Sequence, residues 1–188
     1  MTICVFGASS EAIDKEYIEA GERFGEMLAQ HGDALVFGAG KYGLMGALAR
    51  GADRSGGRII GVIPNFFEDK NVTYTHCELI KTETMRERKA IMEDISDGFV
   101  IMPGGIGTFE EFFEILTLRQ LSRHTKPIAV YNVGGYYDPM INMINSSIAA
   151  DFMSPSVNKL FSVSSDPDEI LNYMHKFVPF SYDKYGER

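Results

Sequence analysis

Two hydrophobic periods alternate along the chain. Short runs rich in Val, Ile, Phe and Ala give way to longer segments in which apolar residues return every three to four positions, the signature of strands alternating with helices. The short runs predict strands at residues 3–7, 34–38, 58–63, 98–102, 127–131 and 160–163. The periodic segments predict helices over 14–31, 42–54, 84–96, 108–122, 138–150 and 166–175. Strand and helix thus alternate almost throughout, and the expected fold is doubly wound α/β: a mostly parallel, Rossmann-like sheet with helices on both faces. Residues 77–81 can add a short extended piece, residues 64–76 carry no period and read as a loop, and the tail after Val178 reads as a surface extension. A loop of that length in a compact domain often serves function. Asp166-Pro167 and Asp138-Pro139 each pair a helix-capping residue with proline, and Thr84 with Glu87 has capping-box spacing.

Composition narrows the function classes. A length of 188 residues suits one domain, residues 1–188, and 45% apolar with 23% charged residues excludes disordered and collagen-like chains. Eighteen Lys and Arg against 26 Asp and Glu give a net charge of −8, which repels nucleic-acid backbones and anionic membranes. Cys4 and Cys77 are far apart and belong to no CxxC or Cys/His cluster, so neither a disulfide nor a metal site is expected. No apolar run approaches the ~20 residues that span a bilayer, and the N-terminus lacks a signal-peptide pattern. A soluble cytoplasmic protein is expected.

Three glycine turns at predicted strand ends can hold an anion, because glycine lets backbone N–H groups and a helix N-terminus come close to it. In Gly7-Ala8-Ser9-Ser10 the hydroxyl of Ser9 or Ser10 can donate to a phosphate or cap the next helix. Gly38-Ala39-Gly40-Lys41-Tyr42-Gly43 satisfies GxGxxG. Its dinucleotide reading also requires an acid at the end of the next strand for the ribose hydroxyls. Ile63 and Pro64 occupy that place, and the first acids, Glu68 and Asp69, come later. The third turn is Pro103-Gly104-Gly105-Ile106-Gly107-Thr108, leading into a helix that carries Glu111. Thr108 and Glu111 have capping-box spacing, which by itself accounts for the pair without catalysis. Helical geometry places Phe109, Phe112, Phe113 and Leu116 on one apolar stripe and Glu111, Ile115 and Leu118 on a second. A helix apolar on two sides commonly packs on its own sheet with one and on another subunit with the other.

The predicted helix over 84–96 contains a charge where its pattern calls for none. Its inward stripe is Met85, Ile91, Met92 and Ile95, and Arg88 falls near the middle of that stripe. A buried guanidinium keeps its charge and therefore needs a carboxylate, a phosphate or carbonyls, unless it snorkels to the helix end. Lys89, beside it, can reach an anion at the same place or simply lie in solvent.

Met85-Arg86-Glu87-Arg88-Lys89, followed by Pro103-Gly104-Gly105-Ile106-Gly107-Thr108-Phe109-Glu110-Glu111, resembles the Lonely Guy (LOG) family of cytokinin riboside 5′-monophosphate phosphoribohydrolases, whose pattern is PGGxGTxxE. The resemblance runs from Val5-Phe6-Gly7 through Gly43-Leu44-Met45-Gly46 and Gly61-Val62-Ile63-Pro64 to Asn132-Val133-Gly134-Gly135-Tyr136-Tyr137. It implies hydrolysis of the N-glycosidic bond of a purine nucleoside 5′-monophosphate, AMP included, to free base and ribose 5-phosphate, without a cofactor. By the same resemblance Arg88 and Glu111 are the catalytic pair. Met85, Lys89, Gly104, Gly105, Ile106, Gly107, Thr108, Thr117, Ser9 and Gly40 are the substrate-binding set. It further implies a homodimer with the active site at the subunit interface. Arg86 stands where the family usually has His, and the acid that many members carry after Pro64 has no clear counterpart near Lys70-Asn71. The label lysine decarboxylase, often attached to such proteins, fits poorly, since nothing offers a pyridoxal-phosphate lysine site. The competing reading is a nucleotide or molybdenum-cofactor carrier on the same fold, binding without turnover.

Overall fold

The computed structural model describes residues 1–183, apart from the side chains of residues 68–70. Seven strands form one sheet: β1 (Thr2–Phe6), β2 (Ala34–Phe37), β3 (Ile59–Pro64), β4 (Glu78–Thr82), β5 (Gly98–Ile101), β6 (Ile128–Tyr131) and β7 (Ser162–Ser164). Every pairing is parallel, in the order β4-β3-β2-β1-β5-β6-β7. The chain winds outward from β1 to β4, then returns to the other side of β1 with β5, so β1 is the point where the winding reverses. In open parallel sheets a crevice forms there, beyond the carboxyl ends of the strands.

Strands β1, β2, β3, β5 and β6 are buried almost without a break because helices cover both faces. On one face lie α1 (Lys15–Gln30), α2 (Gly43–Arg54) and α6 (Pro167–Lys176), packed around Phe24, Leu28, Phe37, Leu48 and Ile170. On the other lie α3 (Met85–Ile95), α4 (Ile106–Gln120) and α5 (Asp138–Ala149), around Met92, Phe99, Phe112, Ile128 and Ile144. A buried Leu, Ile or Phe side chain contributes about 1.5–3 kcal/mol, and these two clusters supply the core.

The 77–81 piece becomes β4, pairing with β3 from Glu78 to Thr82. The segment read as a loop contains a short 3-10 helix, Asn65–Lys70, and an isolated bridge between Gly40 and Thr73. Thr84 caps α3 by accepting from the Glu87 amide at 3.1 Å, and Asp166 caps α6 through the Asp168 amide at 2.9 Å. Asp138 does not cap α5; it is already helical, and its carboxylate accepts from Asn132 Nδ2 at 2.8 Å. The tail is more than a surface extension. Tyr182 is buried and hydrogen-bonded to Ser156 Oγ at 2.7 Å, and the Phe180 carbonyl accepts from Arg119 Nη1 at 2.9 Å. Residues 184–188 lie outside the described part. No helix among the described residues is long and apolar enough to cross a membrane.

Candidate active site

The three glycine turns, separated in sequence, meet over the carboxyl ends of β1, β2 and β5. The Ala8 amide donates to the Pro103 carbonyl at 2.9 Å, and the Met45 amide of α2 donates to the Ala8 carbonyl at 3.0 Å. Gly43 has φ +60°, and a Cβ there would lie 2.5 Å from the Ser10 carbonyl, so only glycine lets the Ser9-Ser10 turn settle on the start of α2. The 64–76 segment forms a side wall: the Lys41 amide donates to the Val72 carbonyl and the Tyr74 amide to that of Ala39, at 2.9 and 2.8 Å. The resulting cavity of about 670 Å³ is lined by Ser9, Gly40, Met85, Arg88, Gly105, Gly107, Thr108 and Glu111, with Tyr42, Ile63, Pro64, Phe67 and Val72 among its other walls.

At its base Arg88, on α3, meets Glu111, on α4. The guanidinium donates through Nη1 to Glu111 Oε1 at 3.2 Å and through Nε to the Val62 carbonyl at 3.1 Å. Both side chains are 12% exposed. Burial raises the Glu111 carboxyl to about 7, and the neighbouring charge and hydrogen bond of Arg88 hold it from going higher. This carboxyl changes charge near neutrality while touching a cavity, the property expected of a group that exchanges protons with a ligand.

The capping-box account of Glu111 fails on geometry. Helix α4 starts at Ile106 with Gly105 as its cap, so Thr108 already sits inside the helix. Thr108 Oγ1 packs against Gly104, where a Cβ would overlap it, and Glu111 is left to turn toward Arg88. The turn is braced from behind: Tyr136 donates to the Gly104 carbonyl at 2.6 Å and Tyr137 to that of Met102 at 2.8 Å. The opening amides of α4 have no acceptor within the helix and carry its positive dipole end, with Gly105, Gly107 and Thr108 at the cavity wall.

Not every expected site residue comes together. Ile106 is 85% exposed and points away, while Gly104 is buried behind the wall. Thr117 is exposed on α4 and lines neither this cavity nor its neighbour. Lys89 turns into that neighbour, a hollow of about 440 Å³ between α3 and α4, where Nζ contacts Glu110 at 2.5 Å and Glu114 at 2.7 Å. The expected inward stripe of α3 is also corrected. Only Met92 is fully buried, whereas Met85 and Ile95 are exposed: Met85 stands at the start of α3 on the cavity rim, and Ile95 closes the other end of the helix away from both hollows. On α4 the second apolar stripe is real: Glu111, Ile115 and Leu118 face the hollow. Of the walls that pattern reading missed, Phe67 and Val72 lie in the unperiodic loop, where spacing carries no signal.

A family profile described as "Possible lysine decarboxylase" matches residues 45–174. A rice protein named "Probable cytokinin riboside 5'-monophosphate phosphoribohydrolase LOGL9" (Oryza sativa subsp. japonica) is 38% identical over 178 residues, 94% of this chain and 78% of the relative. The cytokinin riboside 5'-monophosphate phosphoribohydrolase LOG2 of Arabidopsis thaliana is 33% identical over 94% of this chain and 84% of its own. The chain belongs to the LOG family. Among solved structures, the molybdenum cofactor carrier protein of Chlamydomonas reinhardtii aligns with a TM-score of 0.70 at 20% identity, over 93% of this chain and 96% of that one. The molybdenum cofactor binding protein of Rippkaea orientalis aligns at 0.69 and 18%, over 93% and 95%. These two share the fold. No lysine among the described residues of the LOG-family chain lines the main cavity.

Proposed function

We propose that this LOG-family chain hydrolyses the N-glycosidic bond of purine and cytokinin nucleoside 5′-monophosphates, AMP among them, releasing free base and ribose 5-phosphate. The observation that carries the proposal is the Arg88–Glu111 pair at the floor of a cavity whose wall is a glycine-rich helix start. The phosphate lies on the α4 amides at Gly105, Gly107 and Thr108, with the Ser9 turn opposite, and remote binding becomes orientation at the sugar. The base extends toward Met85, Phe67 and Val72.

As the C1′–N bond breaks, its electron pair leaves with the base and positive charge develops on the ribose. Ionised Glu111 stabilises that charge and takes a proton from the water that adds to C1′, while the departing base nitrogen gains one from solvent. Arg88 favours the ionised form and fixes its direction. A carrier needs the anion cradle but not a carboxylate aimed at the sugar, and the fold shared with molybdenum cofactor proteins says nothing about turnover.

The hydrolase acts in the cytoplasm as a homodimer in this reading. Support for the dimer comes from Ile106, 85% exposed at the start of α4, from Leu121, 44% exposed just past its end and one turn beyond Thr117, and from the hollow between α3 and α4. A second copy seated there brings Thr117 to an active site that its own chain does not reach. Incubating the protein with AMP and with isopentenyladenosine monophosphate, and measuring free base and ribose 5-phosphate, tests the activity. Absence of turnover with nucleotide still bound would replace the hydrolase by the carrier. A sizing column tests the dimer, and elution as a monomer would remove it.

A further inference from the structure

Of the three glycines in the GxGxxG stretch, Gly43 is explained by the approach of the Ser10 turn and Gly40 has open space where a Cβ would stand. Gly38 is different. A Cβ there would overlap Arg88 Nη2 and come within 3.2 Å of Cζ and 3.7 Å of Nε, and the three atoms nearest to it all belong to Arg88. Its backbone is not in the left-handed region, so alanine is compatible with the main chain. Only the guanidinium refuses the side chain.

We propose that Gly38 is a positioning residue for Arg88: the missing side chain at the end of β2 leaves the slot that takes the Nη2 end of the guanidinium while it reaches the Val62 carbonyl and the Glu111 carboxylate. The guanidinium is then held on three sides. Nε is fixed by the β3 carbonyl, Nη1 by Glu111, and Nη2 rests against the Gly38 backbone. A motif that reads as a nucleotide cradle thus has its first glycine facing the catalytic arginine. Because the obstructing atoms are the far end of a flexible side chain, a Cβ at this position displaces Arg88 rather than the strand. The inference concerns the geometry of the pair and uses the hydrolase reading only to name the reaction affected.

Charged and titratable groups around Glu111 are Arg88 and Lys89 from α3, Glu110 on its own helix, Cys4 on β1 and Tyr137 before α5. Of these, Gly38 touches only Arg88. The test is a ¹³C NMR titration of the Glu111 carboxyl in native protein, Gly38→Ala, Arg88→Ala and the double variant, with Glu111→Gln for assignment and a thermal melt of each. Gly38→Ala is expected to raise the Glu111 midpoint by about one pH unit while lowering Tm by no more than about 3 °C. Hydrolysis falls about 100-fold. In the Arg88→Ala background the same change is expected to move neither the midpoint nor the rate. An unmoved midpoint in Gly38→Ala, or an equal effect in both backgrounds, overturns the proposal. Should Gly38→Ala fail to fold, a folded Gly38→Ala/Arg88→Ala protein supports it and an unfolded one overturns it. The titration needs no turnover, so loss of the hydrolase reading would leave this test intact.

Discussion

The two faces of the sheet are covered in opposite ways. On one, α1 and α2 touch backbone to backbone: a Cβ at Gly25 would overlap the Leu48 carbonyl, and one at Gly51 the Glu22 carbonyl. On the other, α3 and α4 stand apart around a hollow and are tied by side-chain ion pairs, Arg88 with Glu111 and Lys89 with Glu110 and Glu114. Close glycine packing gives dispersion contact along the whole crossing and leaves no polar group to satisfy. For the buried pair of Arg88 and Glu111 the cost of desolvating two charges offsets much of their attraction, yet the arrangement holds a carboxyl part-way into a low-dielectric space where its proton affinity rises. The first face is closed by backbone contact, and the second leaves a hollow beside a carboxyl of raised proton affinity.

That contrast can be broken at both ends. The largest effect expected is on activity: Glu111→Gln lowers kcat about 10³-fold, about 4 kcal/mol of barrier, in a folded protein measured by base release. Next, Gly25→Ala forces α1 and α2 apart and costs about 3 kcal/mol in a denaturant titration, with the Glu111 titration of the folded protein unchanged. An equal shift of that titration would mean that the two faces are not independent.

The pH dependence sharpens the comparison. The folded carboxyl of Glu111, at about 7, binds its proton more tightly than the unfolded one. Stability from this group therefore falls as pH rises from the ordinary carboxylate range to about 7, and is level above that. Activity that needs the carboxylate rises over the top of the same window. Melts of native protein and Glu111→Gln at pH 5 and pH 8 check this: the variant gains on the native protein at the higher pH. Lys89→Met removes the second tie between α3 and α4 at a cost of about 1 kcal/mol or less, with KM nearly unchanged. A tenfold rise in KM at constant kcat would instead place Lys89 on the substrate.

The smallest effect is expected at Arg119 on the same face. It is fully buried, among the described residues it meets no carboxylate and its Nε and Nη2 have no hydrogen-bond partner, and its Cζ lies 4.4 Å from the Phe180 ring centroid. An apolar side chain of similar length avoids that desolvation, so Arg119→Met leaves Tm within about 3 °C of the native value.

How much of this was legible in the chain depended on whether a signal was local. Strand runs, helical periods and the caps at Thr84 and Asp166 depend on neighbouring residues, and they read correctly. Asp138 misread as a cap because Asn132, earlier in the chain, takes its carboxylate. Thr108 and Glu111 satisfied a local rule that the early start of α4 overrode. Met85 and Ile95 had helical spacing, but exposure at a cavity rim, for Met85, and at the open end of a helix, for Ile95, is a property of the assembled layers. Lys89 carried no mark of the hollow it would enter.

By itself, then, the sequence determined the alternation of strands and helices and the family through the Arg88 and Pro-Gly-Gly motifs, and it singled out Arg88 and Glu111 as candidates. Tertiary structure alone decided that the pair touches, that burial lifts the carboxyl to about 7, and that Gly38 faces the guanidinium. The physical reason is that residue type and spacing specify which surfaces must be buried, whereas proton affinity and side-chain direction depend on the dielectric and the neighbours that only packing supplies.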